Sequence, residues 1–211
     1  YSSNCDEKCD VCSAVRDSDG EHTMVKSKCS ECGVVEGDIP YTDYTWSKEM
    51  NALISEEKTV TEYTMLTNGM AEWSDGWYVV GSDTKIRERI NVSGTVHLIL
   101  MDGVELDIHR GINVTDDNSL YIYGQSVSDD KMGSLVVTAV KNDYAAIGGN
   151  KEAAAGNITI NGGKVDVTGG YFGGGIGSGY LKSGGTITIN GGNITATGGY
   201  YGAGIGGAYK S

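Results

Sequence analysis

Two stretches of the chain superimpose at an offset of 29 residues, and a period of that length restricts the fold more than any other feature. Asn157-Ile-Thr-Ile-Asn-Gly-Gly163 matches Thr186-Ile-Thr-Ile-Asn-Gly-Gly192, and Val165-Asp-Val-Thr-Gly-Gly170 matches Ile194-Thr-Ala-Thr-Gly-Gly199. Gly175-Ile-Gly177 matches Gly204-Ile-Gly206, with Ile147-Gly148 one period upstream. Residues 157–182 and 186–211 are identical at 15 of 26 positions. Each period holds three short segments divided by glycine corners. Their apolar residues recur at a spacing of 2, which suits half-buried strands, and the frequent glycines exclude a helix. Three strands per period predict an all-β chain folded as a right-handed parallel β-helix, each coil hydrogen-bonded to the next.

The frame predicts inward ladders: Ile158 on Ile187, Ile160 on Ile189, Val165 on Ile194, and Ile147 on Ile176 on Ile205. Asn161 and Asn190 fall at one corner, where asparagine tolerates a left-handed backbone and stacked amides can bond between coils. Upstream, Thr95–Leu100, Val104–Ile108, Gly111–Val114, Ser119–Tyr123 and Leu135–Thr138 fit the same plan with irregular spacing. The expected division is a cysteine-rich module at 1–36, a linker and capping segment at 37–76, and a β-helix at 77–211 of four to five coils, truncated at its C-terminus. Trp46, Leu53, Ile54, Tyr63, Met65, Leu66 and Trp73 are the residues expected to close the first coil.

The run Trp77-Tyr-Val-Val80, Ile90-Asn-Val-Ser93, Val96-His-Leu-Ile-Leu-Met-Asp-Gly103, Leu120-Tyr-Ile-Tyr-Gly-Gln125, Ala146-Ile-Gly-Gly149 and the Ile-Thr-Ile-Asn-Gly-Gly repeats resembles β-helical, glycine-rich surface proteins of gut and rumen Firmicutes. The resemblance spans roughly residues 63–211. It implies a β-helical fold and an extracellular, cell-surface location in a bacterium, and it implies no defined activity.

All five cysteines lie between Cys5 and Cys32. Cys9-Asp-Val-Cys12 and Cys29-Ser-Glu-Cys32 are two C-x2-C knuckles whose spacing suits a four-cysteine structural zinc site in a small zinc-ribbon-like module. Two residues between thiolates let one turn offer both sulfurs to a tetrahedral ion. Cys5 and His22 allow an alternative set, Cys5, Cys9, Cys12 and His22. Two disulfides with one spare thiol fit the same residues in an exported protein. Asn4–Cys12, His22 and Cys29–Gly33 also resemble short Cys/His repeats of those surface proteins.

A formal charge of −12 argues against nucleic acid, which calls for clustered Lys and Arg. No apolar run is long enough to span a membrane as a helix. Glu105, Asp107 and His109 alternate with inward Val104, Leu106 and Ile108 and share one outer face, with Arg87, Arg89 and Arg110 nearby in sequence. No catalytic motif accompanies them, so a solvated face is expected and the chain is read as no enzyme. A polysaccharide lyase or hydrolase is the third-ranked reading. Asp116-Asp117 and Asp129-Asp130 offer at most weak calcium ligands, and His97 is expected to face outward. At the 29-residue offset Tyr171 aligns with Tyr200, Phe172 with Tyr201 and Tyr180 with Tyr209, all in glycine-rich corners where no core demands an aromatic ring. Stacked along the axis, they would give a flat platform for sugar rings, or they would simply brace neighbouring loops. The expected function is a non-enzymatic structural or adhesive module of a surface protein. Its partners would be other copies or domains of the parent protein or surface glycans, with glycan binding as the alternative reading.

Overall fold

The computed structural model describes residues 37–210, apart from 129, 152, 183 and 184, together with two short paired strands, β1 (Met24–Val25) and β2 (Lys28–Cys29). Next in the chain come β3 (Ile39–Ser47) and β4 (Ala52–Val60), an antiparallel hairpin. Everything after it winds through three parallel sheets. Sheet one contains Thr64–Met65, Gly76–Val80, Thr95–Leu100, Ser119–Gly124, Asn157–Ile160 and Thr186–Ile189. Sheet two contains Thr84–Ile86, Glu105–Ile108, Ser134–Thr138, Lys164–Thr168 and Asn193–Thr197. Sheet three contains Glu72–Trp73, Ile90–Val92, Ile112–Asn113, Ile147–Gly148, Ile176–Gly177 and Ile205–Gly206. One strand from each sheet in turn makes a coil, so the chain forms a parallel β-helix of five coils after a partial first turn. No helix interrupts it among the described residues.

The register matches the expected ladders residue for residue: Ile158 pairs with Ile187, Ile160 with Ile189, Val165 with Ile194, and Ile147 with Ile176 and then Ile205. Ile158, Ile160, Val165, Val167, Ile147 and Ile176 are wholly enclosed, each stabilising the fold by roughly 1.5–3 kcal/mol relative to an exposed side chain. The irregular upstream spacing is resolved as well. Gly76 pairs with Val96, Thr95 with Ser119 and Ser119 with Asn157, so a coil can be short or carry a long corner while the strands stay in register.

The repeated Ile-Gly of sheet three has a steric cause. Gly148, Gly177 and Gly206 stack with φ of 128°, 145° and 121°. A Cβ on Gly148 would lie 2.0 Å from the Gly177 carbonyl oxygen, and one on Gly177 would lie 1.9 Å from that of Gly206. At the asparagine corner the left-handed backbone falls on Gly163 and Gly192 (φ 83° and 96°) rather than on Asn161 or Asn190. The amides do bond between coils as expected: Asn190 Nδ2 donates to Asn161 Oδ1 at 2.8 Å, and Asn161 Nδ2 donates to Asp43 of the hairpin at 2.9 Å.

The segment expected to act only as linker and cap divides in two. Thr64–Met65 and Glu72–Trp73 already belong to the parallel sheets, so the stack begins upstream of Trp77. Leu66 and Trp73 are buried beneath its first coil, with Tyr63 and Met65 packed against the core. Trp46, Leu53 and Ile54 do not cap anything: they lie exposed towards the far end of the β3–β4 hairpin. The base of that hairpin is docked on the outside of sheet one, where Ile39, Tyr41 and Val60 join the core cluster. Sheet one there is apolar on both faces, with Leu98, Ile99, Leu100 and Met101 all enclosed. A strand buried on both sides reads as a continuous apolar run rather than an alternating one.

Candidate functional site

The corner that follows Thr168 and Thr197 carries the aromatic residues singled out from the repeat. Gly170-Tyr-Phe-Gly173 and Gly199-Tyr-Tyr-Gly202 are matching turns, closed by Gly173 N–H to the Gly170 carbonyl at 2.8 Å and by Gly202 N–H to the Gly199 carbonyl at 3.0 Å. Glycine is required at the first position of the upper turn, because a Cβ on Gly170 would sit 1.9 Å from the Lys141 carbonyl oxygen. The coil can therefore press against its neighbour while the two turn residues point their rings outward.

All six rings meet. Tyr171 stacks on Tyr200 (centroids 5.5 Å, planes 8° apart), Phe172 on Tyr201 (5.5 Å, 10°) and Tyr180 on Tyr209 (5.9 Å, 10°). Neighbouring columns touch too, Tyr171 with Phe172 at 4.7 Å and Tyr201 with Tyr209 at 4.9 Å. They do not make the flat platform expected. Tyr171 and Phe172 stand at 88°, and Tyr200 and Tyr201 at 78°, so the two columns cannot both lie square to the axis. Ring separations above the ~4.8 Å strand spacing show that each stack is slipped. The result is a stepped wall in which each ring covers only part of its neighbour's face. Tyr200, 76 % exposed, is its most open ring.

The outer face of sheet two carries the acidic candidates. The register aligns Asp107 with Val136, Asp166 and Thr195, as the repeat requires. Asp107 lies 3.2 Å from Lys85 Nζ and 3.4 Å from His109 Nε2, while Asp83 accepts from the Glu105 backbone N–H. A shallow groove of about 570 Å³ runs beside them, lined by Asp83, Glu105, Ser134, Val136, Lys164 and Asp166. Mixed-sign pairs on an open face are weak, each worth about 0–1 kcal/mol.

Arg89 does not join that face. Its Nη1 donates to the carbonyls of Arg110 (2.9 Å) and Ala145 (3.2 Å), and Nη2 donates to that of Gly148 (3.4 Å). Its guanidinium carbon lies 4.8 Å from the Tyr144 ring centroid. One side chain thus pins three successive coils from outside. Burial lowers its pKa to about 10, so it stays charged at neutral pH. A lone arginine in sequence gives no sign of such a role.

A second aromatic cluster also escaped sequence reasoning. Trp77, His97 and Tyr121 occupy one outward rung of sheet one, His97 lying 4.2 Å from the Trp77 ring and 4.9 Å from Tyr121. His97 faces outward as expected, but it is half-buried and Nδ1 lies 3.1 Å from the Tyr123 hydroxyl. Burial pulls its pKa below the usual histidine value, against an opposing pull from Asp43. Tyr123, shut in with it, is pushed well above the usual tyrosine range by burial.

Cys5, Cys9, Cys12, His22 and Cys32 lie outside the described residues, and of Cys29 only the backbone place in β2 is described. Asp129 is also outside them. Among the described residues no three His, Cys, Asp or Glu side chains converge on a metal-sized site, and no helix is long and apolar enough to cross a membrane.

Residues 158–180 and 187–209 each match a family model for a β-helix repeat, the two stretches that carry the 29-residue period and the aromatic corners. No curated protein and no solved structure matches the chain. The chain is a β-helical repeat protein.

Proposed function

We propose that this β-helix is a non-enzymatic structural module of a bacterial cell-surface protein, an extracellular stalk or adhesive segment. The observation that carries the reading is the use made of side chains. Inward positions are filled by stacked Ile, Leu and Val, and of the outward groups best suited to chemistry, Asp107 is paired with Lys85 on an open face and His109 lies against the same carboxylate. The test is turnover. Incubation of the intact chain with acidic and neutral polysaccharides, with and without calcium, should release no new reducing ends or unsaturated products. Release that is abolished by Asp107→Asn would replace this reading with a lyase or hydrolase.

A second reading has its own observation, the stepped aromatic wall. Six touching rings with an open Tyr200 offer partly bare faces of the kind on which sugar rings stack. Glycan-array binding by the chain, lost on joint Tyr171→Ala and Tyr200→Ala substitution, would establish a carbohydrate-binding module. Equal signals from both proteins, or none from either, would leave the rings as braces between coils.

For the head at residues 1–36, the reading is a structural zinc site on Cys9, Cys12, Cys29 and Cys32, with Cys5 and His22 as substitute ligands. About one zinc per chain and reducible thiols after anaerobic purification are expected. No metal and a single free thiol would mean two disulfides.

A further inference from the structure

The β3–β4 hairpin meets the coils one after another. Tyr41 packs against Trp77 of the first coil and Tyr123 of the third. Thr42 donates to the Gln125 carbonyl, at the corner of the third coil, and Gln125 Nε2 donates back to the Pro40 carbonyl. Asp43 accepts from Asn161 at the corner of the fourth coil. The Tyr44 ring covers Gly191 at the corner of the fifth, where a Cβ would come within 2.7 Å of it. From Thr42 onward, each residue along β3 reaches one coil further.

The hairpin does not stop at the fifth coil. β3 continues to Ser47, and β4 starts only at Ala52. Beside the polar turn residues Ser47, Lys48, Glu49 and Asn51, this overhang carries open apolar side chains: Trp46 is 57 % exposed and Met50 68 %, and Leu53 and Ile54 are exposed beside them. The free edge of the fifth coil points the same way. Ile189 and Ile205 are 42 % and 46 % exposed there, whereas their ladder partners Ile160 and Ile176 are wholly enclosed.

We propose that the overhanging hairpin and the free edge of the fifth coil form one docking surface, whose occupant is a further coil of the same repeat stacked in parallel. Continuity with the interface already built selects this occupant. A strand of Ile-Thr-Ile-Asn-Gly-Gly type would seat its apolar residues on Ile187 and Ile189 and its asparagine beyond Asn190, extending the amide ladder by one. Its corner would then lie beneath Thr45 and Ile54, as the corners of the fourth and fifth coils lie beneath Asp43 and Tyr44. The hairpin is accordingly a lateral splint that recognises successive Asn-Gly-Gly corners. This holds whether or not the module works at a cell surface or binds a glycan.

The test lengthens the intact chain by a second copy of residues 183–211, which places a new strand one period beyond Thr186. Hydrogen exchange followed by mass spectrometry should show the added strands protected, and exchange across 45–54 slowed at least tenfold relative to the original chain. Ile54→Glu in the lengthened chain should reverse the slowing at the tip. A protected added coil with unchanged exchange at 45–54 would overturn the proposal, as would an added coil that stays unprotected. Tip protection that appears only in a concentration-dependent dimer would assign the surface to a second copy and overturn it equally.

Discussion

At Gly177 the backbone of one coil passes so close to the next that a methyl group has no room, and the φ of 145° is itself one that L side chains rarely adopt. Gly177→Ala is therefore expected to cost roughly 3 kcal/mol or more and to disturb the last two coils. Gly206→Ala shares the unfavourable φ but meets no atom within 4 Å, so it should cost only the backbone strain, about 1–3 kcal/mol. Chemical denaturation of the two variants checks the contrast, and equal losses would show that the close carbonyl is not the cause. Asn161 is buried and joins Asn190 to Asp43. Asn161→Ala removes both bonds and should cost about 1–3 kcal/mol. His97 adds a pH term. Its folded pKa lies below the unfolded one, so as pH falls the unfolded chain takes up the proton first. The stability this group provides is complete above the ordinary histidine value near ~6.5 and is lost as pH drops through that value towards the depressed folded one. Thermal midpoints should fall between pH 7 and pH 5.5 in the native chain and fall less in His97→Gln.

Among the elements, the hairpin is the one that sequence concealed. Its residues alternate poorly, and nothing in them names a partner. The signal lay instead in its target: Leu98-Ile-Leu-Met101 is a continuous apolar run, and Val79-Val80 repeats it one coil earlier, which is how strands covered on both faces read. The coils at 157–177 and 186–206 were legible in full, since their identical period fixes register, inward ladders and glycine corners together. Upstream coils were legible as strands but not as a period, because Ser119 and Asn157 are 38 residues apart while Asn157 and Thr186 are 29 apart. The aromatic corners were legible in position but not in geometry: nothing in the spacing fixes the 88° turn between Tyr171 and Phe172. Docking of the hairpin has its own test. Tyr41 is wedged between Trp77 and Tyr123, and Tyr41→Ala should cost about 3–5 kcal/mol and weaken the near-ultraviolet dichroism of the cluster. An unchanged spectrum would mean that the hairpin does not rest on sheet one.

For the molecule as a whole, stacking decides what kind of object it is. Each coil touches only its neighbours through strand pairing, as in other repeat architectures, while the hairpin and Arg89 tie distant coils together. In the last two coils the stack sets matching corner residues one coil apart along one face, Tyr171 beside Tyr200 and Phe172 beside Tyr201. Everything proposed about the aromatic wall, the splint and the stalk depends on parallel strands in the 29-residue register. That register puts Thr159 directly beside Thr188 on the outer face of sheet one. Adjacent strands stand about 4.8 Å apart, within the range a disulfide bridges. The decisive measurement is the yield of a 159–188 disulfide, identified by mass spectrometry after mild oxidation of the chain carrying Thr159→Cys and Thr188→Cys. The account expects efficient formation of that bond, and little from Thr159→Cys paired with Ile187→Cys, whose side chains point to opposite faces. Equal yields from the two pairs, or a preference for the second, would contradict the β-helix and with it the structural reading built on its coils.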